Sequence, residues 1–184
     1  MKKSLYTTLL VLAAFVTIGC VTKSTTSKWT NQQRKEMRRA LHQYRDMVYL
    51  DEMTDAEFII FANNVTDEIE AVHPLYTTFT AFPAVSDSID MYVTTTIVEQ
   101  LQADGSNMRH IYPYSELRRN GVLPSGLTRP QKRAFYKCLA RKINAKYNDF
   151  EQFFQAVVAN TTDTSAIAEM QQSCAKELFD YEKK

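Results

Sequence analysis

Apolar side chains recur at helical spacing in two separate stretches of this chain, and they recur in the same order. Phe135, Leu139, Ile143, Tyr147, Phe150 and Phe153 mark the later stretch. Phe61, Val65, Ile69, Tyr76, Phe79 and Phe82 mark the earlier one, with three extra residues before its first tyrosine. Steps of three and four residues place side chains on one helical face, and such a face has to be covered. The matched stretches therefore predict an all-α fold: one compact domain of six or seven helices in two related units, with the two aromatic stripes sharing the core. A chain of 184 residues is long enough to bury such a core. With only 4 glycines and 5 prolines, it lacks the turn density of a many-stranded sheet.

Capping signals place the helices. Thr30 with Gln33, Thr54 with Glu57, and Thr128 with Gln131 each fit a capping box, in which a threonine hydroxyl and the side chain three residues later satisfy one another's backbone N–H groups. The first helix carries Met37, Leu41, Tyr44 and Val48 on one face. Arg34, Lys35, Arg38, Arg39 and Arg45 lie on the others, a basic surface suited either to solvent or to anionic headgroups. The second carries Phe58, Phe61, Val65, Ile69 and Val72, and stops where His73 precedes Pro74. Tyr76, Phe79 and Phe82 mark a short helix, and Ile89 to Leu101 another. The β-branched run Val93 to Val98 leaves a strand open as an alternative there. The third capping box starts a helix running to about Tyr147. Asp149 caps a short helix with Phe150, Phe153 and Phe154, and a last helix carries Ile167, Met170, Cys174 and Leu178.

Unit one then spans about 54–104 and unit two about 128–181, joined by 105–127, the longest irregular segment. Loops of that length in compact domains often carry function. His110, Tyr112, Tyr114 and Arg118 crowd into it and are the candidate binding residues; the alternative is a connector whose tyrosines pack down on the helices. Ten Phe and ten Tyr exceed what a small helical core needs, which suggests an aromatic groove between the units. A basic stripe, Lys132, Arg133, Lys137, Arg141, Lys142 and Lys146, follows the third capping box. A formal net charge of +1 gives no global reason to bind nucleic acid.

The N-terminus reads as an address. Met1-Lys2-Lys3 is a basic start, Leu5 to Ile18 an apolar run too short to span a bilayer comfortably, and Val16-Thr17-Ile18-Gly19-Cys20 follows. This arrangement resembles the signal of bacterial lipoproteins, with threonine at position 17 where leucine is commonest. The resemblance implies a signal peptide over 1–19, lipidation of Cys20 as first mature residue, and membrane attachment through that lipid. A plain secretory signal is the other reading. Val21 to Lys28 is a tether of 8 residues reaching at most about 27 Å, and 29–184 is the folded body. No acidic residue follows Cys20 directly. By the same resemblance, the protein is expected in the cell envelope, at the outer membrane and facing the periplasm.

In that oxidising compartment the remaining pair, Cys138 and Cys174, reads as a disulfide, with two buried thiols as the alternative. The phrase Cys138-Leu-Ala-Arg-Lys142-Ile143, followed by Tyr147 and a late cysteine, is similar to a motif in small bacterial lipoproteins of unassigned activity, and the resemblance supports the pairing.

Catalytic chemistry is not legible. No Gly-rich phosphate loop and no Gly-x-Ser-x-Gly elbow occur. His42 and Asp46, one helical turn apart, supply two possible metal ligands and no third. The expectation is a non-enzymatic envelope protein without cofactor or metal that binds or scaffolds another envelope protein. The alternative is a binder of a small ligand or peptide in the groove between the units, which a pocket of some 300 Å³ or more at that junction favours. An enzyme would need His73 or His110 hydrogen-bonded to a carboxylate in a cleft.

Overall fold

The computed structural model describes residues 28–182, so Cys20, the expected signal peptide and most of the tether lie outside the described residues. The all-α expectation is borne out: among the described residues there are eight α-helices, two 3-10 helices and no strand. All three capping boxes form. Thr30 opens α1 (Asn31–Ala40), which tightens into a 3-10 turn, Leu41–Tyr44. Thr54 opens α2 (Asp55–Val72), and Thr128 opens α6 (Arg129–Tyr147) with Pro130 in its first turn. Between them lie α3 (Tyr76–Thr80), α4 (Val85–Ala103), a 3-10 turn over Gly105–His110, and α5 (Tyr114–Arg119). Asp149 caps α7 (Phe150–Val158) and Asp163 caps α8 (Thr164–Phe179).

Several local expectations are corrected. The run Val93 to Val98 is helical inside α4 because Val93, Thr96 and Ile97 all face the core, and that packing outweighs β-propensity. The Thr96 hydroxyl turns back to the Tyr92 carbonyl at 2.8 Å, so it is satisfied within the helix. The segment 105–127 is not an irregular connector, since the Gly105–His110 turn and α5 both form in it. The first helix stops short of Val48, which is exposed. The chain turns instead through Tyr49, fully buried at φ 85°, while Arg45 donates to the carbonyls of Leu50 at 2.7 Å and Met53 at 2.6 Å. Spacing puts Val72, Phe82 and Leu178 on apolar faces, yet all three are exposed.

Val65 and Leu139 are fully buried, and both stripes enter one hydrophobic cluster with Phe61, Ile69, Phe135 and Ile143. They do not share the core face to face. Helix α2 packs chiefly on α1 and α4, while α6 packs chiefly on the Gly105–His110 turn, α7 and α8. Cys138 and Cys174 are joined by a disulfide with a Cα–Cα separation of 5.9 Å, which fastens α8 to α6.

Half of the basic surface of α1 is tied to the fold. Arg34 pairs with Asp67 and with buried Glu70, and Arg38 donates to Asn63 at 3.0 Å. Lys35 and Arg39 stay exposed. Four members of the stripe along α6 are spent on the fold: Arg133 meets Asp104 at 2.6 Å, Lys137 faces the same carboxylate at 3.8 Å, Lys142 meets Glu177 at 2.6 Å and Lys146 meets Asp163 at 2.9 Å.

Candidate functional site

The α2 capping box does more than start a helix. Oε2 of Glu57 accepts from the Thr54 backbone N–H at 2.9 Å, which closes the box. Its other oxygen, Oε1, accepts from Arg109 at 2.8 Å, 52 residues away in the 3-10 turn. Burial raises the Glu57 carboxyl, but the Thr54 backbone and hydroxyl together with Arg109 outweigh that and bring it down to about 2.

Asp104 plays the matching part on the other side. Its Oδ1 accepts from Ser106 N–H at 3.0 Å, capping the 3-10 turn, and its Oδ2 accepts from Arg133 of α6 at 2.6 Å. Two capping carboxylates thus tie the turn to α2 and to α6. Gly105 makes the second tie possible, because a Cβ there would stand 2.6 Å from the Ala140 Cβ.

These clamps frame a cleft of about 700 Å³ between the start of α2, the 3-10 turn and the first turns of α6. Lys132 lies over the Tyr114 ring at 4.0 Å from its centre, and the Tyr114 hydroxyl donates to the Pro124 carbonyl at 2.8 Å. Tyr136 donates to the Tyr112 carbonyl at 2.9 Å, so the segment before α5 is fastened down onto α6. Burial pushes the phenols of Tyr112 and Tyr136 above their ordinary range. His110 is buried at the cleft wall, with its ring 5.0 Å from that of Tyr49. Burial first, and then the Arg109 charge, lower its imidazole to about 4 against the weaker pull of Glu57 and the Glu52 backbone, so it is neutral at pH 7.

Of the four candidate binding residues, His110 and Tyr114 line this cleft. Tyr112 faces a smaller hollow of about 290 Å³ beside α8, and Arg118 stands exposed on α5, away from the cleft. Sequence reasoning missed Arg109 and Asp104. An acid directly before Gly105-Ser106 is a local capping signal that would have found the second; no local signal marks the first. Arg129, at the start of α6, also lines the cleft. Arg129 and Lys132 take no ion pair among the described residues, whereas Arg109 and Arg133 are already neutralised.

The histidines are dispersed. His42 lies 5.1 Å from the Phe58 ring, His73 meets the Tyr92 hydroxyl at 3.3 Å, and none of the three is hydrogen-bonded to a carboxylate among the described residues. No group of three or more His, Cys, Asp or Glu among the described residues could hold a metal ion, and no described helix is long and apolar enough to cross a membrane. Comparison with protein-family models, with curated proteins and with solved structures finds no match.

Proposed function

We propose that this chain is a lipid-anchored protein of the cell envelope that binds a small ligand bearing an anionic group, without converting it, in the cleft between α2, the 3-10 turn and α6. The observation that carries the reading is the pair of cations at the mouth. Arg129 is exposed and Lys132 half-buried, both face about 700 Å³ of open space, and among the described residues neither is paired with an acid. Pockets of roughly 300 to 1,000 Å³ are the usual size for small ligands. Tyr114, already under Lys132, offers a ring face on the same wall. Glu52 is the one lining acid without a basic partner among the described residues, and it leaves room for a positive group on the same ligand.

A non-catalytic role is supported by the one histidine in the cleft. His110 hydrogen-bonds with the Glu52 backbone and leans on Tyr49, so its ring is occupied structurally. Envelope anchorage is supported by the order basic start, short apolar run and Gly19-Cys20.

The test is a thermal-shift and calorimetric titration of the protein with inorganic phosphate, succinate and an acidic dipeptide. At least one probe should raise the melting temperature, and an Arg129→Ser/Lys132→Ser double variant should weaken that probe by roughly tenfold or more, as expected for one lost charge-assisted contact. No shift with any probe, or equal affinity in the double variant, rejects the cleft as the site. Mass spectrometry of protein extracted from the envelope tests the anchor independently: an unmodified Cys20 rejects it.

A further inference from the structure

A second hollow lies on the side of the fold where the tether arrives. It measures about 290 Å³, and its walls come from the end of α2, the loop after it, α3 and the start of α4. Val72, Leu75 and Phe82 stand on its rim with 61%, 55% and 54% of their surfaces exposed. Among the described residues no lysine, arginine, aspartate or glutamate lines it. Exposed apolar side chains are ordinary when scattered, but three gathered around one mostly apolar groove make a patch that water does not favour.

What lies behind the groove says what covers it. Its floor is His73 and Phe79, whose rings stack at 4.7 Å. Trp29 is built onto that floor: its indole N–H donates to the His73 carbonyl at 2.8 Å, its ring meets Tyr76 edge-on at 4.9 Å, and it lies 6.1 Å from Phe79. Trp29 is thus fixed at the back of the groove. Nine residue steps separate Cys20 from Trp29, no more than about 30 Å when fully extended. A lipid on Cys20 therefore keeps this end of the molecule within reach of the bilayer wherever the rest points.

We propose that the face bearing Val72, Leu75 and Phe82 seats in the membrane surface, with the lipid bilayer as its occupant. The proposal rests on the lipid-anchor reading and adds to it an orientation. Burial of side chains drives the contact. Lys28, Arg34, Asp67 and Glu70 line the neighbouring hollow that shares Pro74, and Asp87 precedes Ser88 at the groove itself, so no one-signed field is present to steer it. Seating is then insensitive to salt, unlike adsorption of a polybasic surface.

Trp29 is the chain's single tryptophan and a built-in reporter of this face. The experiment uses the full mature protein reconstituted into phosphatidylethanolamine/phosphatidylglycerol vesicles with brominated acyl chains. Vesicle flotation and Trp29 quenching are read on the same samples. Wild type should float and be quenched at least twofold more than a Leu75→Asp/Phe82→Asp variant, at both low and high salt. Circular dichroism checks that the variant, altered only at exposed positions, is folded; should it not be, Val72→Ser/Leu75→Ser takes its place. Wild type that floats unquenched, or is quenched equally in the variant, overturns the seated face and leaves the anchor standing. Cys20→Ser protein that floats and is quenched like wild type supports the face and overturns the anchor. Wild type that does not float at all overturns both. Concentration-dependent dimers in sedimentation that the Asp variant abolishes would make a second copy the occupant and overturn the bilayer.

Discussion

His110 and Glu57 respond to acid in different windows, because their environments pull their proton affinities away from the unfolded values by different routes. The imidazole, ordinarily near 6.5, sits at about 4 in the fold. Between those values the unfolded chain takes up a proton that the folded chain refuses, so His110 makes the fold less stable as pH drops from about 6.5 to about 4. Glu57, ordinarily 4.5, sits at about 2, and its contribution is present above about 4.5 and lost as pH falls toward about 2. Urea unfolding at pH 7, 5.5, 4.5 and 3 separates the two. His110→Gln should flatten the upper limb. Glu57→Gln should flatten the lower one, since glutamine keeps the capping box and loses only the charged link to Arg109. Variant profiles parallel to wild type would refute both assignments. Tyr49 is the other residue decided at this scale. A buried tyrosine at φ 85° stores about 1–3 kcal/mol of backbone strain. It is held by a hydrogen bond to Gln100 at 3.0 Å, by the His110 ring and by the Arg45 bonds to the carbonyls that follow.

The element that organises the site is the 3-10 turn Gly105–His110. It is short, yet Asp104 caps it, Arg109 reaches back to α2, and Gly105 lets it lie directly on α6. Gly105→Ala places a methyl 2.6 Å from the Ala140 Cβ, where the helix has little freedom to yield. A loss of about 1–3 kcal/mol is expected from such overpacking, measured as a lower urea midpoint. Weaker binding of whichever anion the wild type takes should accompany it, because the turn carries one wall of the cleft. Unchanged stability would mean that the turn is not seated on α6 as described. Gly126 marks the contrast: it needs its glycine for a φ of 80°, with open space around its Cα.

At the scale of the molecule, α6 is the hub, touching the turn, α7 and, through the disulfide, α8. Helix α4 contacts α7 as well as α2, so the two halves are cross-braced and should unfold as one. Trp29 fluorescence reports the front of the chain and far-UV circular dichroism the whole; their urea transitions should coincide, and separate midpoints would show the halves to be independent. Replacing both Cys138 and Cys174 by alanine opens a loop with a sequence separation of 36 and should lower stability by about 3.5 to 4 kcal/mol in the chain-entropy treatment. A loss below about 1 kcal/mol would assign α8 to ordinary packing instead.

What the amino-acid order determined by itself is the helices that open on a capping signal or carry a clear apolar stripe; α5 and the Gly105–His110 turn are not among them. Capping boxes at Thr30, Thr54 and Thr128 and an apolar step of three or four residues are completed within one or two turns of chain, so their physics is local. The tertiary structure alone decided which apolar residues stay uncovered and which charges are spent. Val72 and Phe82 obey the same periodicity as Val65 and Phe79 yet face outward, because no described helix covers them. Glu57 finds Arg109 across 52 residues and Asp104 finds Arg133 across 29, pairings that no local pattern encodes. Arg129 and Lys132 are left over to face the cleft for the same reason: whether a cation is free depends on every acid the fold brings near it, a property of the packed chain.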